Sequence, residues 1–229
     1  MEEIKIFAPA SVANVSCGFD VLGFCLGPVG DEMLIRKSSS KGVRITKIEG
    51  QDLPYDVKKN VAGVAAEAML KSHPVDHGFE IEIYKKIKAG SGIGSSAASA
   101  AGAVFGINEL LGKPFSPHQL IAFAMEGEGV ASGSVHADNV SPVLLGGITL
   151  VRSINPLDVI SLPTPKELMA VILHPKIELK TMHAREILKK NVTMEKAIQQ
   201  WGNLGAFVSA LYKEDFELMS RSLKDEIVE

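Results

Sequence analysis

The chain has 229 residues, 46% hydrophobic and 22% charged, which supplies apolar material for one large core or two modest ones. Its net charge of −3 rests on interspersed acidic and basic residues, and one Trp and three Tyr offer little to stack on bases, so a nucleic-acid partner is excluded from the expectation. Cys17 and Cys25 lack zinc-knuckle or redox spacing, Met1-Glu2-Glu3 is not a basic export signal, and no apolar run reaches spanning length; a cytoplasmic protein without a membrane partner is expected.

Ile4 to Ala8 alternates and reads as the first strand. It leads into Ala8-Pro9-Ala10-Ser11-Val12-Ala13-Asn14-Val15-Ser16-Cys17-Gly18-Phe19-Asp20-Val21-Leu22-Gly23, where polar Asn14 and Asp20 stand among small and apolar residues. Burying such side chains without partners costs on the order of 1–3 kcal/mol each, so they either close local turns or meet a ligand. Met33 to Lys37 and Val43 to Ile48 follow as strands and Val57 to Lys71 as a helix. Phe79 to Ile87, opening on the alternation Phe79-Glu80-Ile81-Glu82-Ile83, is the clearest strand.

Between that strand and the Ala-rich helix expected over Ser95 to Leu111 lies Lys88-Ala89-Gly90-Ser91-Gly92-Ile93-Gly94-Ser95-Ser96-Ala97-Ala98. Glycines at alternate positions let the backbone take dihedrals closed to other residues and approach a ligand closely, and Ser95 and Ser96 stand where the helix begins. Free N–H groups and the positive helix end then converge on one spot, which suits a polyphosphate. An ordinary glycine turn capped by serine is the plainer reading, and the strand-to-helix context weighs against it. Gly92 to Ala97 also fits the dinucleotide G-x-G-x-x-A pattern. A Rossmann unit needs a second parallel strand after the helix, however, whereas the next segment, Pro117 to Glu126, reads as another helix; an NAD-dependent oxidoreductase is the weaker alternative. Gly106 to Pro114 imitates a Walker A sequence but follows helix and ends in Pro, so it reads as a helix C-cap.

Glu126-Gly127-Glu128 comes next, followed by His136-Ala137-Asp138-Asn139 in a Gly/Ser setting. Such oxygen donors suit Mg²⁺, which takes one or two protein carboxylates and completes its shell with phosphate and water; a solvated acidic helix end with an Asx turn is the plainer alternative. Ile148 to Arg152 and Leu168 to Leu173 read as strands around the turn-rich stretch Asn155 to Pro165, where a domain boundary falls, dividing the chain at 1–160 and 161–229. From Leu179 onward the pattern is helical, through Ala184 to Leu188, Trp201 to Leu211 and Phe216 to Val228. It stops at Glu229 with few strands to pair with Leu168 to Leu173, as in an incomplete second α+β domain.

Three of these segments carry a resemblance. Gly90 to Ala98 is similar to the second motif of the GHMP small-molecule kinases, Pro-x-Gly-Ser-Gly-Leu-Gly-Ser-Ser-Ala, with Lys88 where the proline usually lies. Ala8 to Gly23 resembles the first motif of the homoserine kinases within that family, with Ser16-Cys17 replacing a Gly-Pro-like pair, and Glu128 through Asn139 resembles their Glu, Ser-Gly, His, Asp-Asn segment. The resemblance implies the GHMP two-domain α+β fold, an N-terminal ribosomal-protein-S5-domain-2-like sheet backed by helices and a ferredoxin-like C-terminal domain, here incomplete. It implies ATP-dependent phosphorylation of homoserine for threonine biosynthesis, with ATP at Lys88 to Ala98, and allows a homodimer. It further implies Mg²⁺ at Glu128 with a hydroxyl of Ser95 or Ser96, and Asp138 or Asn139 beside the transferred phosphate. Asn14, Asp20 and His136 would meet the amino acid, and Arg185, in Thr181-Met182-His183-Ala184-Arg185, its carboxylate.

Overall fold

The computed structural model describes residues 1–132, 136–173, 188–189 and 191–228. Strands β1 (Glu3–Val15) and β2 (Gly18–Ser38) form a long antiparallel hairpin, in register from Glu3 opposite Arg36 to Val15 opposite Gly18 with shifts at Pro9/Ala10 and Ala13/Val15. β2 carries the sheet. Its C-terminal half pairs with β4 (Gly78–Tyr84) and its N-terminal part with β5 (Ile148–Ile154), both antiparallel. β3 (Gly42–Glu49) adds parallel to β4, and β6 (Leu157–Leu162) adds antiparallel to β5, giving six strands in the order β3-β4-β2-β5-β6 with β1 along the other edge of β2.

Alternation decides which face is covered. Met33 and Ile35 of β2 and Phe79, Ile81 and Ile83 of β4 are fully buried on one side. Against them pack α1 (Val61–Ser72), α2 (Ser95–Leu110) and α3 (Pro117–Ser132), through Met69, Ile107, Leu120, Ile121 and many alanines. Small residues permit this close layering: a Cβ on Gly127 of α3 would stand 2.4 Å from the Val61 carbonyl oxygen of α1. The helix starts follow capping chemistry. Asn60 Oδ1 accepts from the Ala62 N–H, and Ser116 and Gln119 exchange side-chain–backbone bonds ahead of Pro117 at the first helical position. The short α4 (Val140–Leu145) then leads through Gly146 and Gly147 into β5. Two further helices, α5 (Met194–Lys213) and α6 (Phe216–Ser222), form a second cluster in which Phe207, Leu211 and Met219 pack on Cys17, Leu22, Ile148 and Leu162.

The mixed α+β architecture matches the expectation, with corrections of detail. The stretch Asn155 to Pro165 holds strand β6, which pairs antiparallel with β5 and puts Leu157 and Val159 into the main core and Leu162 into the second apolar cluster. Leu168 to Leu173 is not a strand: no neighbour among the described residues pairs with it, and Met169, Val171 and Leu173 are 85–87% exposed. The last helix ends at Ser222 instead of reaching Val228, and α3 runs on past Glu126 to Ser132. The Walker-like Gly106 to Pro114 is indeed a helix end, where Gly112 (φ 83°) and Lys113 (φ 64°) turn left-handed after α2. The helix expected between Leu179 and Ile187 lies outside the described residues.

Candidate active site

The glycine loop adopts the dihedrals its composition requires: Gly90, Gly92 and Gly94 have φ of 74°, 76° and 67°. Gly94 is the N-cap of α2 and has no side chain to offer, so the first-turn N–H groups of Ser95, Ser96 and Ala97 meet no side-chain cap. Sixteen helical residues align their dipoles behind this uncapped end. A left-handed loop delivering bare N–H groups at a helix N-terminus is an anion cradle. Lys88, Ala89, Gly90 and Gly92 are exposed, whereas Ala97 and Ala98 are fully buried and belong by their side chains to the core.

Strand β1 clamps the loop from one side. The fully buried Ser11 receives nothing from solvent; its N–H donates to the Ile93 carbonyl at 3.2 Å, and its Oγ donates to Asn139 Oδ1 at 2.9 Å. A Cβ on Gly94 would stand 2.1 Å from Ser11 Oγ and 3.1 Å from Asn139 Oδ1. Three segments, the outer two 128 residues apart in sequence, thus meet at the start of α2. Ser11 was not singled out by the sequence reading; a serine in a run of small residues gives no individual signal beyond its place in the motif.

Carboxylates gather beside this point. Glu126 and Glu128 share α3, but Glu126 is exposed and Glu128 is 9% exposed, turned inward. Burial raises the Glu128 carboxyl above its usual range, a hydrogen bond with the Ser96 side chain opposes the rise, and neighbouring Asp138 adds to it. Asp138 is 2% exposed, and its Oδ1 has no hydrogen-bond partner among the described residues. Burial raises its carboxyl too, with His136 opposing and Asp20 reinforcing. β2 passes so close that a Cβ on Gly23 would lie 1.8 Å from the Asp138 carbonyl oxygen. Ser95 behaves differently from Ser96: its Oγ donates to the Ile87 carbonyl at 2.9 Å, back toward the strand side.

At the rim, His136 Nδ1 lies 3.7 Å from Asp20 Oδ1, both partly exposed. Asn14 and Asp20 have φ of 56° and 60°, and Asn14 Oδ1 accepts from the Asp20 N–H at 2.9 Å, so the turn-closing use of Asn14 is present. Arg185 lies outside the described residues.

The family description "GHMP kinases N terminal domain" matches residues 58–147, the span holding the loop, Glu128 and Asn139. Homoserine kinase from Chloroherpeton thalassium is 45% identical over 241 residues, taking in 100% of this chain and 76% of that protein. The crystal structure of homoserine kinase from Cytophaga hutchinsonii superposes with a TM-score of 0.94 at 51% identity, covering 100% of this chain and 73% of that one. The chain belongs to the homoserine kinase family. It spans about three quarters of the length of such a relative, as a further comparison repeats: 43% identity to the homoserine kinase of Chlorobium phaeobacteroides, covering 75% of it. For this kinase the dinucleotide alternative has no structural basis, since α3 follows α2 where a Rossmann unit needs a parallel strand. Among the described residues no helix is long and apolar enough to cross a membrane.

Proposed function

We propose that this chain transfers the γ-phosphoryl group of ATP to the hydroxyl of L-homoserine. The observation that carries the reading is the meeting of Ser11, Gly94 and Asn139 at the uncapped N-terminus of α2. There the loop N–H groups hold the ATP phosphates, and Asn139, tied to Ser11, stands where an acceptor hydroxyl must approach. Asp138, buried behind Asn139, acts on the site through charge.

The donor set beside the loop fits Mg²⁺: it consists of oxygens, both carboxylates are buried with Asp138 raising Glu128, and Asp138 Oδ1 has no hydrogen-bond partner among the described residues. Glu128 and Ser96 would hold the ion, Ser95 being committed to Ile87. Bound there, Mg²⁺ supplies positive charge for the phosphate oxygens. Within this reading Asp20, Asn14 and His136 receive the homoserine ammonium at the rim, and the resemblance of Thr181 to Arg185 supports Arg185 as the partner of its carboxylate. The division at 1–160 and 161–229 rests on the family resemblance; α5 and α6 of the second part pack on Cys17, Leu22 and Ile148 of the first.

An ADP-coupled assay with homoserine, mevalonate and galactose tests the reading. Turnover with homoserine well above the other two is expected. Preference for mevalonate or a sugar overturns the substrate, and Mg-ATP binding without turnover of any acceptor reduces the chain to a nucleotide binder.

A further inference from the structure

Beneath the first turn of α2 lies a buried ion pair that the proposed chemistry does not use. Asp31 belongs to β2 and Lys85 follows β4; their side chains are 0% and 1% exposed. Lys85 Nζ donates to Asp31 Oδ2, to the Ser95 carbonyl at 2.8 Å and to Ser99 Oγ at 3.0 Å, which spends all three ammonium hydrogens. The second Asp31 oxygen accepts the N–H groups of Lys86 at 2.7 Å and Ile87 at 2.9 Å, and the Ile87 carbonyl takes the Ser95 hydroxyl. Strand end, loop entry and helix start are therefore joined through one fully satisfied polar knot.

Such a pair is an expensive way to fill a core, because two charges are desolvated where apolar residues would pack as well. Desolvation pulls the Lys85 ammonium below its usual range, with Asp31 opposing. What apolar residues could not do is grip a helix carbonyl and a helix hydroxyl from below while the N–H groups of the same turn face outward. Lys85 is too enclosed to touch a nucleotide. Its charge also favours the ionised form of Glu128.

We infer that the Lys85–Asp31 pair is a positioning device that fixes the first turn of α2 so that its N–H groups match a polyphosphate. The inference rests on the kinase reading above, and calorimetry of the full chain with Mg-ATP and, separately, with homoserine distinguishes the two. Absence of Mg-ATP binding to the wild type refutes the kinase reading whatever the pair does. Lys85→Met with Asp31→Asn removes both charges together, and the amide oxygen still accepts from Lys86 and Ile87, so no lone buried charge remains. This double variant is expected to keep its melting transition while its Mg-ATP affinity falls by about ten-fold or more, the scale of a misplaced binding group, with homoserine affinity changed less than about two-fold. Ser99→Ala leaves the ion pair intact and removes one grip, and is expected to weaken Mg-ATP by roughly two- to four-fold, the cost of one buried hydrogen bond shared with a second acceptor. A folded double variant that binds Mg-ATP like the wild type, or loses affinity equally for both ligands, overturns the inference. If the double variant does not fold, unchanged Mg-ATP affinity in Ser99→Ala overturns it alone.

Discussion

Gly94→Ala and Gly92→Ala separate the two tasks of the glycine loop, approach to a ligand and closure against the rest of the site. Both glycines are left-handed, at φ 67° and 76°, and an L side chain there costs roughly 1–2 kcal/mol. At Gly92 that is the whole cost to the fold, since a Cβ meets nothing within 4 Å. At Gly94 the Cβ would stand 2.1 Å from Ser11 Oγ and 3.2 Å from the Ser11 nitrogen, which is fixed in β1. Ser11 must rotate away, and losing its bond to Asn139 adds about 0.5–1.5 kcal/mol. Gly94→Ala is therefore expected to lower unfolding free energy in urea by about 1.5–3.5 kcal/mol, against about 1–2 kcal/mol for Gly92→Ala. Activity should show a different pattern. Gly92→Ala places a methyl on the open, ligand-facing side and should raise KM for ATP while sparing kcat more, whereas Gly94→Ala, by displacing Asn139, should lower kcat as well. Equal destabilisation by the two substitutions, or an intact kcat in Gly94→Ala, would refute the claim that Ser11, Gly94 and Asn139 form one junction.

Glu128→Gln is expected to weaken Mg²⁺-dependent turnover by about a hundred-fold or more, as loss of a charge-stabilising group in an active site does, whereas Glu126→Gln, on the exposed side of α3, changes it little; Mg²⁺ titrations of the two variants check this, and equal losses would show that the wrong carboxylate was assigned. Glu128 and Asp138 have carboxyl pKa values raised by burial, so between the ordinary carboxylate range and the raised values the folded chain holds more protons than the unfolded one and stability falls as pH rises. The Tm of the wild type relative to Glu128→Gln should accordingly increase as pH is lowered through that window without ligands; a difference independent of pH would contradict the burial argument. Burial pushes the Cys17 thiol up to about 11 and leaves it 2% exposed, so iodoacetamide at pH 8 should modify Cys25 well before Cys17, as peptide mass spectrometry would report. Similar labelling rates would mean that the α5–α6 cluster over Cys17 opens readily.

What could be read from the sequence was what local chemistry dictates. The alternation Phe79-Glu80-Ile81-Glu82-Ile83 could only put its apolar row on one face, and the glycines at 90, 92 and 94 could only mark left-handed backbone. Pairing across the chain was not legible in the same way. Leu157 to Leu162 and Leu168 to Leu173 are similarly apolar, yet only the first has β5 beside it, and a strand without a partner does not form. The long β1–β2 hairpin was read only at its ends, because Gly23 and Gly30, poor strand formers taken singly, mark close approaches to the Asp138 carbonyl and to Phe7 that only the folded sheet creates. The partial site followed the same division. Glu128 could be preferred to Glu126 from the motif, but the tie between Ser11 and Asn139 and the grip of Lys85 on Ser95 join residues whose types are ordinary and whose distance in sequence hides them.

In the proposed reaction the glycine loop, Ser11 with Asn139, and Glu128 make a single phosphoryl-transfer site. Crystals grown with Mg²⁺, a non-hydrolysable ATP analogue and homoserine test it most directly. The terminal phosphates are expected on the N–H groups of Ser95 to Ala97, the metal between Glu128 and Ser96, and the homoserine hydroxyl beside Asn139. Nucleotide phosphates bound away from the start of α2, or a metal that touches neither Glu128 nor Ser96, would contradict it.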